Sequence, residues 1–221
     1  MKFCKDLEIE LRKNSNAELA IPMENYMKNN FTFLGIKTEA RRAIFKSNYE
    51  KNKAEIKSNF RNIAWELFQM KEREFHQCAI DLLVKEWKKN YVLQDIIFIE
   101  QLIVTNSWWD SVDVIAKYLL GGYLAQFPSE ILKVVERFSN SDNMWLNRSA
   151  ILFQLSYKEK TDFELLKSEC EKHKESKEFF IQKAIGWALR DYSRFNPNGV
   201  KEYVNSTNLK PLSRREALRL L

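Results

Sequence analysis

The chain is poor in residues that break helices. Its 221 residues include five glycines and four prolines. A β-sandwich or barrel needs a turn about every ten residues, so this scarcity argues against both and suits long helices with short connections. Cysteine is sparse as well. Cys4, Cys78 and Cys170 are odd in number and far apart, which excludes a disulfide framework and any zinc spacing. They read as small core or surface residues in a reducing compartment. No apolar run approaches the roughly 18 residues that span a membrane. The opening "MKFCKDLEIELRKN" carries charge throughout and lacks the apolar stretch of a signal peptide, so a cytoplasmic protein is expected. His76 and His173 lie far apart with no Ser or Cys pattern near either, and no phosphate loop, H-E-x-x-H, C-x-x-C or G-x-S-x-G is present. The usual nucleotide, metal and hydrolase classes lose support, and neither a metal nor a cofactor is expected.

Hydrophobic residues make up 45% and charged residues 30%, which places the chain among folded globular proteins rather than disordered ones. Nearly every segment has a 3.6-residue apolar period. Ile63, Leu67 and Met70 share one face; Phe75, Ala79, Leu82, Leu83 and Trp87 share another. In "QDIIFIEQLIV" the sets Ile96, Ile99, Ile103 and Ile97, Leu102 widen the apolar arc, which predicts a helix buried on more than one side. Pro128 opens a helix with Ser129 and Glu130 in its first turn. Residues 138–143 and 195–199 read as loops by their turn chemistry. Thr161, followed by Asp162 and Glu164, reads as an N-cap with an acidic first turn.

Aromatic residues that open helices recur at Phe75, Trp109, Trp145 and Phe180, in steps of 34, 36 and 35 residues. A period near 35 suggests stacked helical pairs, an all-α solenoid whose concave face is a groove for something long; a non-repeating bundle is the plainer alternative. The positive charge is uneven. Of the net +6, residues 144–221 hold 15 Lys/Arg against 10 Asp/Glu, while residues 1–143 hold 21 against 20. A locally basic surface favours a polyanion, most often nucleic acid, although solubility alone would account for such a charge.

Polar residues recur behind the repeat aromatics. Asp113 follows Trp109 by four, Arg148 follows Trp145 by three, and Lys183 follows Phe180 by three. Lys183, Trp187, Arg190 and Arg194 stand at i, i+4, i+7 and i+11, one stripe carrying three cations around an indole. Each has a plainer reading: Trp187 as core, Arg148 as an ordinary salt-bridge partner, Asp113 as a solvated or helix-dipole residue. Asp110 and Asp113 lack a third ligand for a cation.

At "SWWDSVD", "WLNRSAILFQL" and "SKEFFIQKAIGWALRDY" the sequence resembles the AlkD-type DNA glycosylases, the HEAT-like-repeat alkylpurine DNA glycosylases of bacteria. The likeness also runs through "PMENYMKNNFTFLGIKTEARR" (22–42), "ELFQMKEREFHQCAIDLL" (66–83), "QLIVTNSWWDSVD" (101–113) and "LSRREALR" (212–219). It implies a single domain over residues 1–221, an α-solenoid of HEAT-like repeats with a concave face for duplex DNA. It further implies cleavage of the N-glycosidic bond of cationic N3- and N7-alkylated purines, without a deep base pocket, metal or cofactor. The functional carboxylate maps onto Asp113, the paired indoles onto Trp109 and Trp187, the supporting arginine onto Arg148, and a DNA-contacting tyrosine onto Tyr26. Lys183, Arg190 and Arg194 would grip phosphates. A monomer with no obligate protein partner, in the bacterial cytosol and on the nucleoid through DNA, is the matching expectation. A solenoid that only binds DNA or a protein partner explains the repeat equally well, but not the carboxylate and indoles on corresponding helices.

Alkylation at N3 or N7 makes the purine cationic, so it departs neutral and needs little acid catalysis. Positive charge moves to the deoxyribose, much as in glycoside hydrolysis. A carboxylate at the sugar stabilises that charge and positions a water. An indole face attracts a cation by roughly 0.5–2 kcal/mol.

Overall fold

The computed structural model describes residues 1–88 and 90–221. The described chain is helical nearly throughout and forms two compact units, Met1–Asn90 and Tyr91–Leu221.

The first unit contains α1 (Lys2–Lys13), α2 (Ala17–Tyr26), α3 (Thr38–Lys51), α4 (Lys53–Phe68) and α5 (Arg73–Trp87). Phe3, Leu7 and Leu11 of α1 recur at helical spacing and are fully buried, as are Ile63 and Leu67 of α4. All five residues of the predicted α5 face are fully buried. The long connection between α2 and α3 is pinned by one acid. Glu74, itself buried, accepts hydrogen bonds from the backbone N–H groups of Leu34, Gly35 and Ile36 at 3.0, 3.0 and 3.1 Å. Gly35 sits at φ 80°, and a Cβ there would lie 1.9 Å from the Asn16 carbonyl oxygen, so only glycine fits.

The second unit contains α6 (Asp95–Val104), α7 (Trp109–Val114), a π-helical segment Ile115–Leu120, α8 (Gly121–Gln126), a 3₁₀ turn Pro128–Glu130, α9 (Ile131–Ser139), α10 (Met144–Leu152), α11 (Phe163–His173), α12 (Phe179–Tyr192), α13 (Pro197–Ser206) and α14 (Pro211–Ala217). Neighbour packs on neighbour: α10 against α9 and α12, α12 against α11, α13 and α14. This serial stacking is how helical repeats bury faces that no single pair could bury. Each of the four repeat aromatics lies within the first three residues of its helix, in α5, α7, α10 and α12.

Several local expectations are corrected. Ile97 is 68% exposed, while Ile99, Leu102 and Ile103 are buried; α6 therefore buries one face against α10 and the π-helical segment. The N-cap of α11 is Asp162, not Thr161; its carboxylate accepts the Leu165 N–H. The stretch 195–199 is not all loop, because α13 starts at Pro197 behind an Asn196 cap that accepts the Gly199 N–H. Proline suits the first helical position, where its missing N–H costs nothing. The three cysteines are all buried and free.

Candidate active site

The second unit brings Asp113 and Arg148 together. The approach to α7 is set by local bonds: Ser107 Oγ donates to the Ile103 carbonyl at 2.6 Å, and Ser111 Oγ to the Trp108 carbonyl at 3.1 Å. Trp108 is extended (φ −157°, ψ 161°) and caps the helix. Its ring packs against Trp145 and Phe180, with centroids 5.9 and 5.3 Å away. Those two rings lie 5.1 Å apart, so Trp108 takes a packing role. Trp109 begins α7 and is half-buried, Asp110 lies in the first turn, and Asp113 stands one turn beyond Trp109. Neighbouring residues project about 100° apart on a helix, so Trp109 and Asp113 share a direction that Trp108 does not. The π-helical segment begins two residues after Asp113; such segments are often found at functional sites.

Asp113 is held from another helix. Arg148 of α10 donates through Nε to Oδ1 at 2.7 Å and through Nη2 to Oδ2 at 2.9 Å. This fork-on-carboxylate geometry fixes the orientation of both groups. The third nitrogen, Nη1, donates to the backbone carbonyl of Phe180 in α12. Arg148 is 3% exposed and is consumed by these contacts. This geometry lets Arg148 orient the Asp113 carboxylate. Burial pushes the Asp113 carboxyl above its ordinary range; the two Arg148 hydrogen bonds and its charge oppose that rise, and Asp110 adds to it.

The predicted stripe on α12 divides. Trp187 is half-buried and packs against the core of the second unit. Lys183 and Arg190 do not point freely outward, since both reach Glu216 of α14, at 3.1 and 2.8 Å. Arg194 lies beyond the end of α12, so the continuous helical stripe stops at Arg190. Arg194 is exposed. Glu216 was not legible beforehand, because its partners lie on another helix and no fixed spacing connects them. The same holds for the Phe180 carbonyl that receives Arg148.

Tyr26 belongs to the first unit. It is the last residue of α2, 67% exposed, and lines a cleft of about 400 Å³ with Pro22, Met23, Met27, Phe33 and Ile36. Among the described residues, no three or more His, Cys, Asp or Glu side chains gather as metal ligands would.

A mostly buried, arginine-clamped carboxylate thus stands one turn from an indole. The model of the DNA alkylation repair enzymes matches residues 7–221. The chain belongs to that family. Its structure is similar to that of a predicted DNA alkylation repair enzyme from Enterococcus faecalis, at 35% identity and a TM-score of 0.86, covering 94% of this chain and 96% of that one. It also resembles AlkD2 from Streptococcus mutans (17% identity, TM-score 0.61, 84% and 91% coverage). A third similar structure is smu.31 from Streptococcus mutans UA159 (18%, 0.60, 83% and 92%). The last two share the fold with this chain. A comparison with curated proteins returns no match. The family places the chain in the repair of alkylated DNA, and its all-helical fold is that of the AlkD type. No helix among the described residues is long and apolar enough to cross a membrane.

Proposed function

We propose that this DNA alkylation repair enzyme is a monofunctional glycosylase that releases cationic N3- and N7-alkylpurines from duplex DNA. The observation that carries the reading is Asp113: a mostly buried carboxylate, oriented by a two-pronged arginine, with Trp109 one helical turn away. In the proposed reaction the C1′–N bond breaks and its electron pair leaves with the purine, which departs neutral. The deoxyribose takes up the positive charge. Asp113 stabilises that charge and orients the water whose oxygen bonds to C1′, and the displaced water proton passes to the carboxylate or to solvent. Arg148 holds the carboxylate ready, so little reorganisation is needed as charge develops. Trp109 and Trp187 present indole faces to the same cation, each contributing roughly 0.5–2 kcal/mol. Arg194 engages the DNA backbone near the lesion, a contact mode that gives affinity without reading sequence, and Tyr26 of the first unit contacts DNA.

Base release from an N7-methylguanine duplex under single-turnover conditions tests this. Wild-type protein is expected to release the base. Asp113→Asn, which keeps the shape and removes the charge, is expected to be about 10²–10⁴-fold slower, the range attributed to a positioned acid–base group. An unchanged rate in the variant would remove Asp113 from the mechanism. No release by wild-type protein at any concentration would leave a DNA-binding solenoid instead.

A further inference from the structure

The last helix brings a negative charge onto the face assigned to DNA. Glu216 of α14 is 8% exposed, and its carboxylate lies 3.1 Å from Lys183 Nζ and 2.8 Å from Arg190 Nη1. The two cations flank Trp187 on α12. Glu216 is not a swinging surface acid. At Gly186 the two helices touch so closely that an added Cβ would lie 2.4 Å from Glu216 Cβ and 2.8 Å from the Ser213 carbonyl oxygen. Ser213 Oγ also donates to the Gln182 carbonyl at 3.0 Å, and Ser213 and Ala217 are fully buried. The carboxylate is therefore fixed where it satisfies both cations, and N–H donors hold carboxylate and phosphate oxygens with the same geometry. Arg194, just past the helix, is exposed and makes no ion pair among the described residues.

We propose that Glu216 is a built-in competitor for DNA phosphate: it holds Lys183 and Arg190 at reduced effective charge, so that this face meets the duplex backbone first through Arg194 and binds undamaged DNA weakly. The inference rests on the DNA-binding reading above. Weak, salt-sensitive attraction to undamaged duplex lets a protein slide and hop between lesions.

The experiment is titration of a fluorescent undamaged duplex over a series of salt concentrations, with thermal melting to check each variant's fold. Glu216→Gln is expected to bind several-fold tighter at low salt. Its plot of log Kobs against log salt is expected to steepen by about 0.9 for each phosphate gained. A folded Glu216→Gln protein with unchanged or weaker affinity and the wild-type slope overturns the proposal and leaves Glu216 a structural clamp. If that variant does not fold, Lys183→Gln and Arg194→Gln decide. Arg194→Gln is expected to cost the larger share of affinity, and equal losses overturn the proposal. Wild-type protein that binds no duplex at any salt removes the DNA-binding reading itself, and the inference with it.

Discussion

Replacing Arg148 by alanine strips Asp113 of both hydrogen bonds and leaves its carboxylate mostly buried without a counter-charge. The two side chains are 4% and 12% exposed, so solvent repairs little of the damage. Breaking a buried pair from one side costs about 3–5 kcal/mol, and the orphaned Phe180 carbonyl adds to that loss. For a protein of this length each kcal/mol lowers Tm by about 2–4 °C, so a fall of at least about 6 °C is expected in a melting experiment. The effect also has a pH signature. Asp113 already titrates above its ordinary value of 3.8 because of burial, and Arg148 limits the rise. Without Arg148 the carboxyl moves higher still. A carboxyl whose folded pKa exceeds its unfolded one contributes stability at low pH that is lost as pH rises through the folded pKa. The variant's deficit relative to wild type is therefore expected to shrink on acidification, beginning above the ordinary carboxylate range. Adding Asp113→Asn to Arg148→Ala removes the stranded charge, so the double variant is expected to be more stable than the sum of the single losses predicts. A deficit below about 1 kcal/mol that is flat with pH, together with strict additivity, would refute the idea of a buried, mutually dependent pair.

Glu74→Gln loses the charge that gathers three backbone N–H groups of the α2–α3 connection. A destabilisation of about 1–3 kcal/mol in denaturant unfolding is expected, with faster amide exchange at Leu34, Gly35 and Ile36 if the acid anchors that segment; unchanged exchange would count against it. The thiols of Cys4 and Cys78 are pushed up to about 12 and about 11, chiefly by burial, and Cys170 is raised as well. All three are expected to resist a thiol reagent at pH 8 in the native protein and to react together on unfolding; rapid labelling of any one in the folded state would contradict its burial.

Local information carried much of this molecule. The 3.6-residue period located α5, whose predicted face is buried throughout, and the recurrence near 35 residues anticipated aromatics at the starts of α5, α7, α10 and α12. The four-residue spacing of Trp109 and Asp113 placed the two on one face of α7. These features depend on residues within a turn or two of each other, or on repetition of one pattern, and both are visible along a chain. Arg148 was legible only as a supporting arginine or an ordinary salt-bridge partner; that it clamps Asp113 depends on how deeply α10 seats it between α7 and α12. Glu216 was out of reach altogether. Its approach to Lys183 and Arg190 requires α14 to close against Gly186, and the recurrence near 35 residues, whose last mark is Phe180, does not extend to α14. The sequence by itself pointed to an all-helical protein and nominated its carboxylate. Which cations are free and which are held was decided only by the packing of one helix on the next, since an ion pair depends on distance in space and not on distance along the chain.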